Sequence, residues 1–164
     1  MKKFGVLFIC LFVVGMAAAA KKGADNVPGI FEFNRLTAVV PPFTGPANAI
    51  RGIGGAGAPW KIASGKAELN ANGELEVSVR GLVLVRNSTN PIGTFAIILS
   101  CQSKDAAGAP TIVNQVVGTT PATTTGDADF EGTVTPPSPC LAPIVFVAIP
   151  AGANPARWLA ISGF

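Results

Sequence analysis

The 164-residue chain contains no histidine and no tyrosine, and only 13% of it is charged. Without histidine, a Ser/His/Asp triad, a Cys/His pair, an imidazole general base and a His-ligated zinc or copper site are all excluded. Asp, Glu and Lys remain for acid/base work, so the exclusion is broad rather than complete. Cysteine is scarce too, limited to Cys10, Cys101 and Cys140, none closely spaced as a redox pair or thiolate metal site requires. Basic residues are scattered outside Lys2-Lys3 and Lys21-Lys22, which leaves no electrostatic footprint for nucleic acid.

Residues 1–20, MKKFGVLFICLFVVGMAAAA, have the form of a secretory signal peptide: two lysines, an apolar run, then alanines offering an A-x-A cleavage site. Cleavage there starts the mature chain at Lys21 and takes the net charge from +3 to +1, so the basic pI is partly a targeting effect. The 17 apolar residues from Phe4 to Ala20 also reach the short limit of a membrane anchor, making an uncleaved signal the only membrane link the sequence offers. Lipidation at Cys10 fits poorly, because Ile9 stands where a small residue is wanted. Export places Cys101 and Cys140 in an oxidising compartment, where a disulfide is the expected state. That bond would close a loop of 38 intervening residues and stabilise the fold by roughly 3 to 4 kcal/mol.

Residues 21–164 alternate short apolar or two-periodic runs with clusters of Gly, Pro, Ser, Thr and Asn, and no long stretch keeps helical spacing. This rhythm predicts one all-β domain, a two-sheet antiparallel sandwich with immunoglobulin-like or Greek-key connections. The clearest element is a hairpin of Lys66–Asn70 and Glu74–Arg80 around an Asn72-Gly73 turn, with Leu75, Val77 and Val79 on its dry face. Thr94–Cys101 is apolar on both sides and predicts a strand covered on both faces. Asp127–Thr135 predicts a surface strand with Phe130 and Val134 inward, while Ile144–Ile149 and Arg157–Ser162 predict two more strands. Further strands are expected at 30–40, 50–54, 60–62, 82–85 and 111–117, with the low-complexity segment 118–127 (GTTPATTTGD) as an exposed loop. The closing aromatic, Phe164, is shared with outer-membrane barrels, but the Pro- and Gly-rich connections favour a sandwich over ten-residue spanning strands.

Several groups of residues invite a chemical reading. Glu74 and Glu76, two apart on one strand, would set carboxyl groups roughly 7 Å apart, a spacing used by inverting glycosidases. Asp127, Asp129 and Glu131 form an acidic stripe that a loop oxygen could complete into a calcium site. Trp60 and Trp158 would serve a carbohydrate-binding surface if exposed. Gly52 to Gly57 spells G-x-G-x-x-G, yet Ala58-Pro59-Trp60 follows where a dinucleotide site needs a helix, so no nucleotide is expected. Asn87-Ser88-Thr89 fits an N-glycosylation sequon, meaningful only in a host that glycosylates exported chains.

Residues 64–82, with their N-G turn and L-x-V-x-V-x-G-L run, resemble the opening hairpin of CHRD-type secreted β domains. Those domains carry histidines further along and this chain has none, so the resemblance brings over no functional residue. The strand ending in Cys101, the acidic strand, Cys140-Leu141-Ala142-Pro143 and the Trp158 strand together are similar to secreted bacterial β-sandwich proteins of uncharacterised activity. The combined expectation is a secreted or envelope-associated, non-catalytic binding or structural domain, without cofactor or bound metal, stapled by Cys101–Cys140. A carbohydrate-binding module, or a glycan-acting enzyme using Glu74 and Glu76, stands as the alternative.

Overall fold

A computed structural model of the chain describes residues 29–152 and 156–162. The leader, Cys10, Lys21, Lys22 and Phe164 lie outside the described residues, as does part of the 150–155 connection. The described chain is all-β, built as two facing antiparallel sheets. Its strands are β1 (Gly29–Phe33), β2 (Leu36–Ala38), β3 (Gly54–Gly55), β4 (Trp60–Lys61), β5 (Ser64–Asn70) and β6 (Glu74–Arg80). They continue with β7 (Val83–Leu84), β8 (Thr94–Lys104), β9 (Pro110–Pro121), β10 (Ala128–Thr133), β11 (Leu141–Ile149) and β12 (Arg157–Ser162). One sheet has the order β1-β5-β6-β10, and the other runs β2-β12-β11-β8-β9 with β3 added parallel to β12. The short β4-β7 pair stands apart.

The β5–β6 hairpin forms where alternation predicts it, pairing Leu69 with Leu75 and Ala67 with Val77. Its turn differs from an Asn-Gly turn with two left-handed residues: Gly73 N–H donates to Asn70 O, and Gly73 alone has positive φ, at 83°. This is a type I turn followed by a glycine bulge, and a Cβ on Gly73 would run into Val134 O. Ala67, Leu69, Leu75, Val77 and Val79 are buried and join Phe95, Ile97, Leu99, Val145, Phe146 and Leu159 of the facing sheet in one core cluster. Strand β8 is buried continuously from Phe95 to Cys101, as its two apolar faces predict. Segment 39–59 is fastened beside this sheet by Val39 N–H to Leu159 O and Ala56 N–H to Trp158 O.

Three expectations need correction. The run 30–40 is not one strand: Asn34-Arg35 breaks it, so β1 pairs with β5 in one sheet and β2 with β12 in the other. Of residues 50–54, only Gly54 enters a strand, as the start of β3; Ile50 and Ile53 form an isolated bridge, because Arg51 and Gly52 take positive φ and turn the chain. The strand expected at 111–117 extends through Pro121, into what reads as loop. Thr119 and Thr120 pair with Ala96 and Phe95, and buried Thr120 donates its hydroxyl to Asp129 O at 2.6 Å. That bond, together with Gln115 Nε2 to Thr135 O, ties edge strand β9 across to β10 and the chain after it. Gly118 and Gly132 stand against the ring of Phe130, so a Cβ at either would collide with it.

Candidate functional site

Cys101 and Cys140 form the expected disulfide, with Cα atoms 4.9 Å apart. Cys101 is fully buried on β8, and Cys140 is half-buried immediately before β11. The bond therefore fastens the start of β11 to the middle of the sheet. Arg51 reinforces the same corner: its guanidinium donates to Ser100 O at 2.7 Å and to Ala142 O, carbonyls flanking the two cysteines. Partial burial lowers the Arg51 pKa from its ordinary value. Asn114 Nδ2 donates to Arg51 O at 3.0 Å, holding the loop that carries the guanidinium.

All five glutamates lie on the four-stranded sheet. Strand register sets Glu32 opposite Glu68, Glu68 opposite Glu76, and Glu76 opposite Glu131, a row crossing every strand of the outer face. This row crosses the sheet at Glu76, while Glu74 stands two residues away on the same strand. Glu76 lines a shallow groove with Glu32, Glu68, Asp129, Glu131 and Lys66, whereas Glu74 lies outside it, opposite Thr133. Half of the row was within reach of the sequence, because a turn closing between Leu69 and Leu75 fixes Glu68 against Glu76. Glu32 and Glu131 arrive on distant strands and gave no such signal.

Two members of the Asp127, Asp129, Glu131 stripe are engaged with protein donors. Asp127 accepts the Gly81 N–H at 2.8 Å and the Thr125 hydroxyl at 2.9 Å, and these bonds, the backbone one first, lower its pKa. Asp129 accepts a bifurcated bond from Arg80 Nη2, 2.9 Å to each carboxylate oxygen, which lowers its pKa with a smaller contribution from Ser78. Among the described residues no group of three or more acidic side chains is arranged to hold a metal ion. The oxygens of Asp127 and Asp129 thus serve structural hydrogen bonds.

Both tryptophans are buried, Trp60 at 3% and Trp158 at 2% exposure, so neither presents an indole face to a sugar. Trp158 instead stands between Phe43 and Phe146, with ring centroids 6.4 and 6.5 Å away. It lines a half-open apolar cavity of about 680 Å³ between the β1–β2 crossing, segment 40–50 and the end of β12. The sequence offered no hint of this cavity, since its walls come from three separated segments. Within the G-x-G-x-x-G run, Gly54 and Gly55 form β3 beside Arg157 and Trp158. Asn87, Ser88 and Thr89 are exposed in the β7–β8 connection, where Asn87 Oδ1 accepts the Thr89 N–H at 3.3 Å.

No family model matches the chain, and no curated protein or solved structure is similar to it at a significant level.

Proposed function

We propose that the chain is an exported, non-catalytic binding domain, released from its leader at Lys21 and working outside the cytoplasm. The observation that carries this reading is the Cys101–Cys140 disulfide, which joins fully buried Cys101 of β8 to half-buried Cys140 just before β11. A structural cross-link of that kind is characteristic of compartments where thiols are kept oxidised. The placement of the acids supports the non-catalytic half of the proposal. Asp127 and Asp129 are engaged by backbone, hydroxyl and guanidinium donors, and the glutamate row lies on an open sheet face. A catalytic carboxylate pair instead flanks the scissile bond of a substrate held between them.

The test is mass spectrometry on protein recovered from its native host, with alkylation before and after reduction. A mature chain beginning at Lys21, found in medium or envelope, with Cys101 and Cys140 protected until reductant is added, is the expected result. An intact leader in the cytosol with both thiols freely alkylated refutes the proposal.

A further inference from the structure

We propose that the cavity beside Trp158 is a binding site for a small, uncharged, largely apolar molecule bearing one hydrogen-bond acceptor, such as a ketone, lactone or ester. The inference deepens the reading of the chain as a binding domain by assigning that domain a site and a ligand class.

The walls set the apolar part. Phe33, Ala38, Ile50 and Ile161 line the cavity, and Val40 and Phe43 complete its rim while remaining 45% and 39% exposed. A volume of about 680 Å³ falls within the range that small-molecule sites occupy. Large side chains left half in water around a concavity mark a surface that gains by being covered.

The acceptor is set by Trp158. Its Nε1 is buried and finds no hydrogen-bond partner among the described residues, although nearly all buried polar groups are paired. The orphaned N–H is closed off from solvent in this structure, so a ligand oxygen satisfies it only if a neighbouring side chain lets it through. Phe43 is the neighbour able to give way: its ring packs against the indole, and its side chain is the more exposed of the two. Phe43 therefore acts as the cover over the donor, moving aside as the acceptor enters.

The absence of charge on the ligand follows from the rim. Glu32 and Arg35 both line the opening, so their fields oppose and select neither a cation nor an anion. Thr37 and Ser162 add neutral polar groups. Placing an ion beside the buried indole would also strip its hydration without a paired countercharge.

Titration of the purified, oxidised protein with acetophenone and with ethylbenzene tests the assignment, following the Trp158 indole N–H by NMR. The Trp60→Phe variant identifies which indole signal is which. Acetophenone is expected to shift the Trp158 signal saturably downfield, whereas ethylbenzene, of the same size without an acceptor, binds more weakly and leaves the N–H position nearly unchanged. Trp158→Phe keeps the aromatic packing and should weaken acetophenone about tenfold while sparing ethylbenzene. Phe43→Ala should strengthen acetophenone binding, and Val40→Arg should abolish it in a chain that remains folded. The proposal is overturned if neither probe binds, if the two bind equally and Trp158→Phe changes nothing, or if benzoate or benzylammonium binds better than acetophenone. It is equally overturned if the free protein already shows a hydrogen-bonded Trp158 N–H. These outcomes are independent of where the chain resides, so failure of the site and failure of export are separable.

Discussion

Replacing both cysteines by alanine tests the cross-link and its energetic role together. Cys101 and Cys140 are 39 positions apart, and tethering the ends of such a loop removes conformational freedom from the unfolded chain worth about 4 kcal/mol in the chain-entropy account. Alanine suits Cys101 better than serine, because Cys101 has no solvent exposure and a hydroxyl there would need a partner. Loss of buried sulfur adds roughly 1 kcal/mol of packing on top. Opposing these losses, the register around the bond survives, since Leu141 still faces Gln102 and Arg51 still bridges Ser100 and Ala142. The folded variant should therefore keep its β-sheet circular dichroism, yet melt roughly 10 to 20 °C lower and unfold at a lower urea midpoint. Wild type treated with reductant should follow it to within about 1 kcal/mol, the packing difference. A urea midpoint displaced by the equivalent of less than about 1 kcal/mol, with unchanged slope, would refute the loop-entropy reasoning and leave Arg51 and the strand ladder as sufficient fastening.

Three further outcomes follow from the four-stranded sheet and its edges. Glu76→Gln removes the charge flanked on both sides by glutamates and should raise stability by about 0.2 to 1 kcal/mol, an effect that 1 M salt erases; destabilisation would show that the row is held by attractive contacts. Gly126→Ala places a Cβ against the backbone of Leu82 at a φ of 80° and should cost at least about 2 kcal/mol in urea titration, whereas Gly108→Ala, with open space around it, should cost clearly less. Asp127 and Asp129 titrate lower folded than unfolded, so they stabilise the fold above the ordinary Asp value of 3.8, and that contribution is lost as pH falls through their folded values. An Asp127→Asn, Asp129→Asn variant should consequently show a flatter loss of stability with acid, and an unchanged slope would argue against the assignment.

Local signals carried the elements whose state is decided locally. In β5 and β6, period-two alternation and a turn glycine are both within one short window, and the hairpin formed, though with a different turn. The double-sided burial of β8 was equally legible, because an unbroken apolar run has no wet face to offer. Segment 118–121 was not, since Gly, Thr and Pro read as a loop until Phe95 and Ala96 supply partners and Thr120 finds Asp129. Likewise nothing in 30–40 announces that the chain changes sheets at Asn34-Arg35; that break depends on where β5 and β12 lie. The tryptophans show the same limit at the site. The setting of Trp158 depends on Phe43 and Phe146, 115 and 12 positions away in the chain.

The glutamate row bears on how copies of this domain meet. Two copies that met through this face would carry four aligned glutamates into four others, with one Lys66 beside each row. The surface thus acts as a mutual spacer, keeping crowded molecules in suspension at some expense to the stability of each. The substitution that strengthens the fold, Glu76→Gln, is accordingly the one that should make concentrated solutions of it precipitate first.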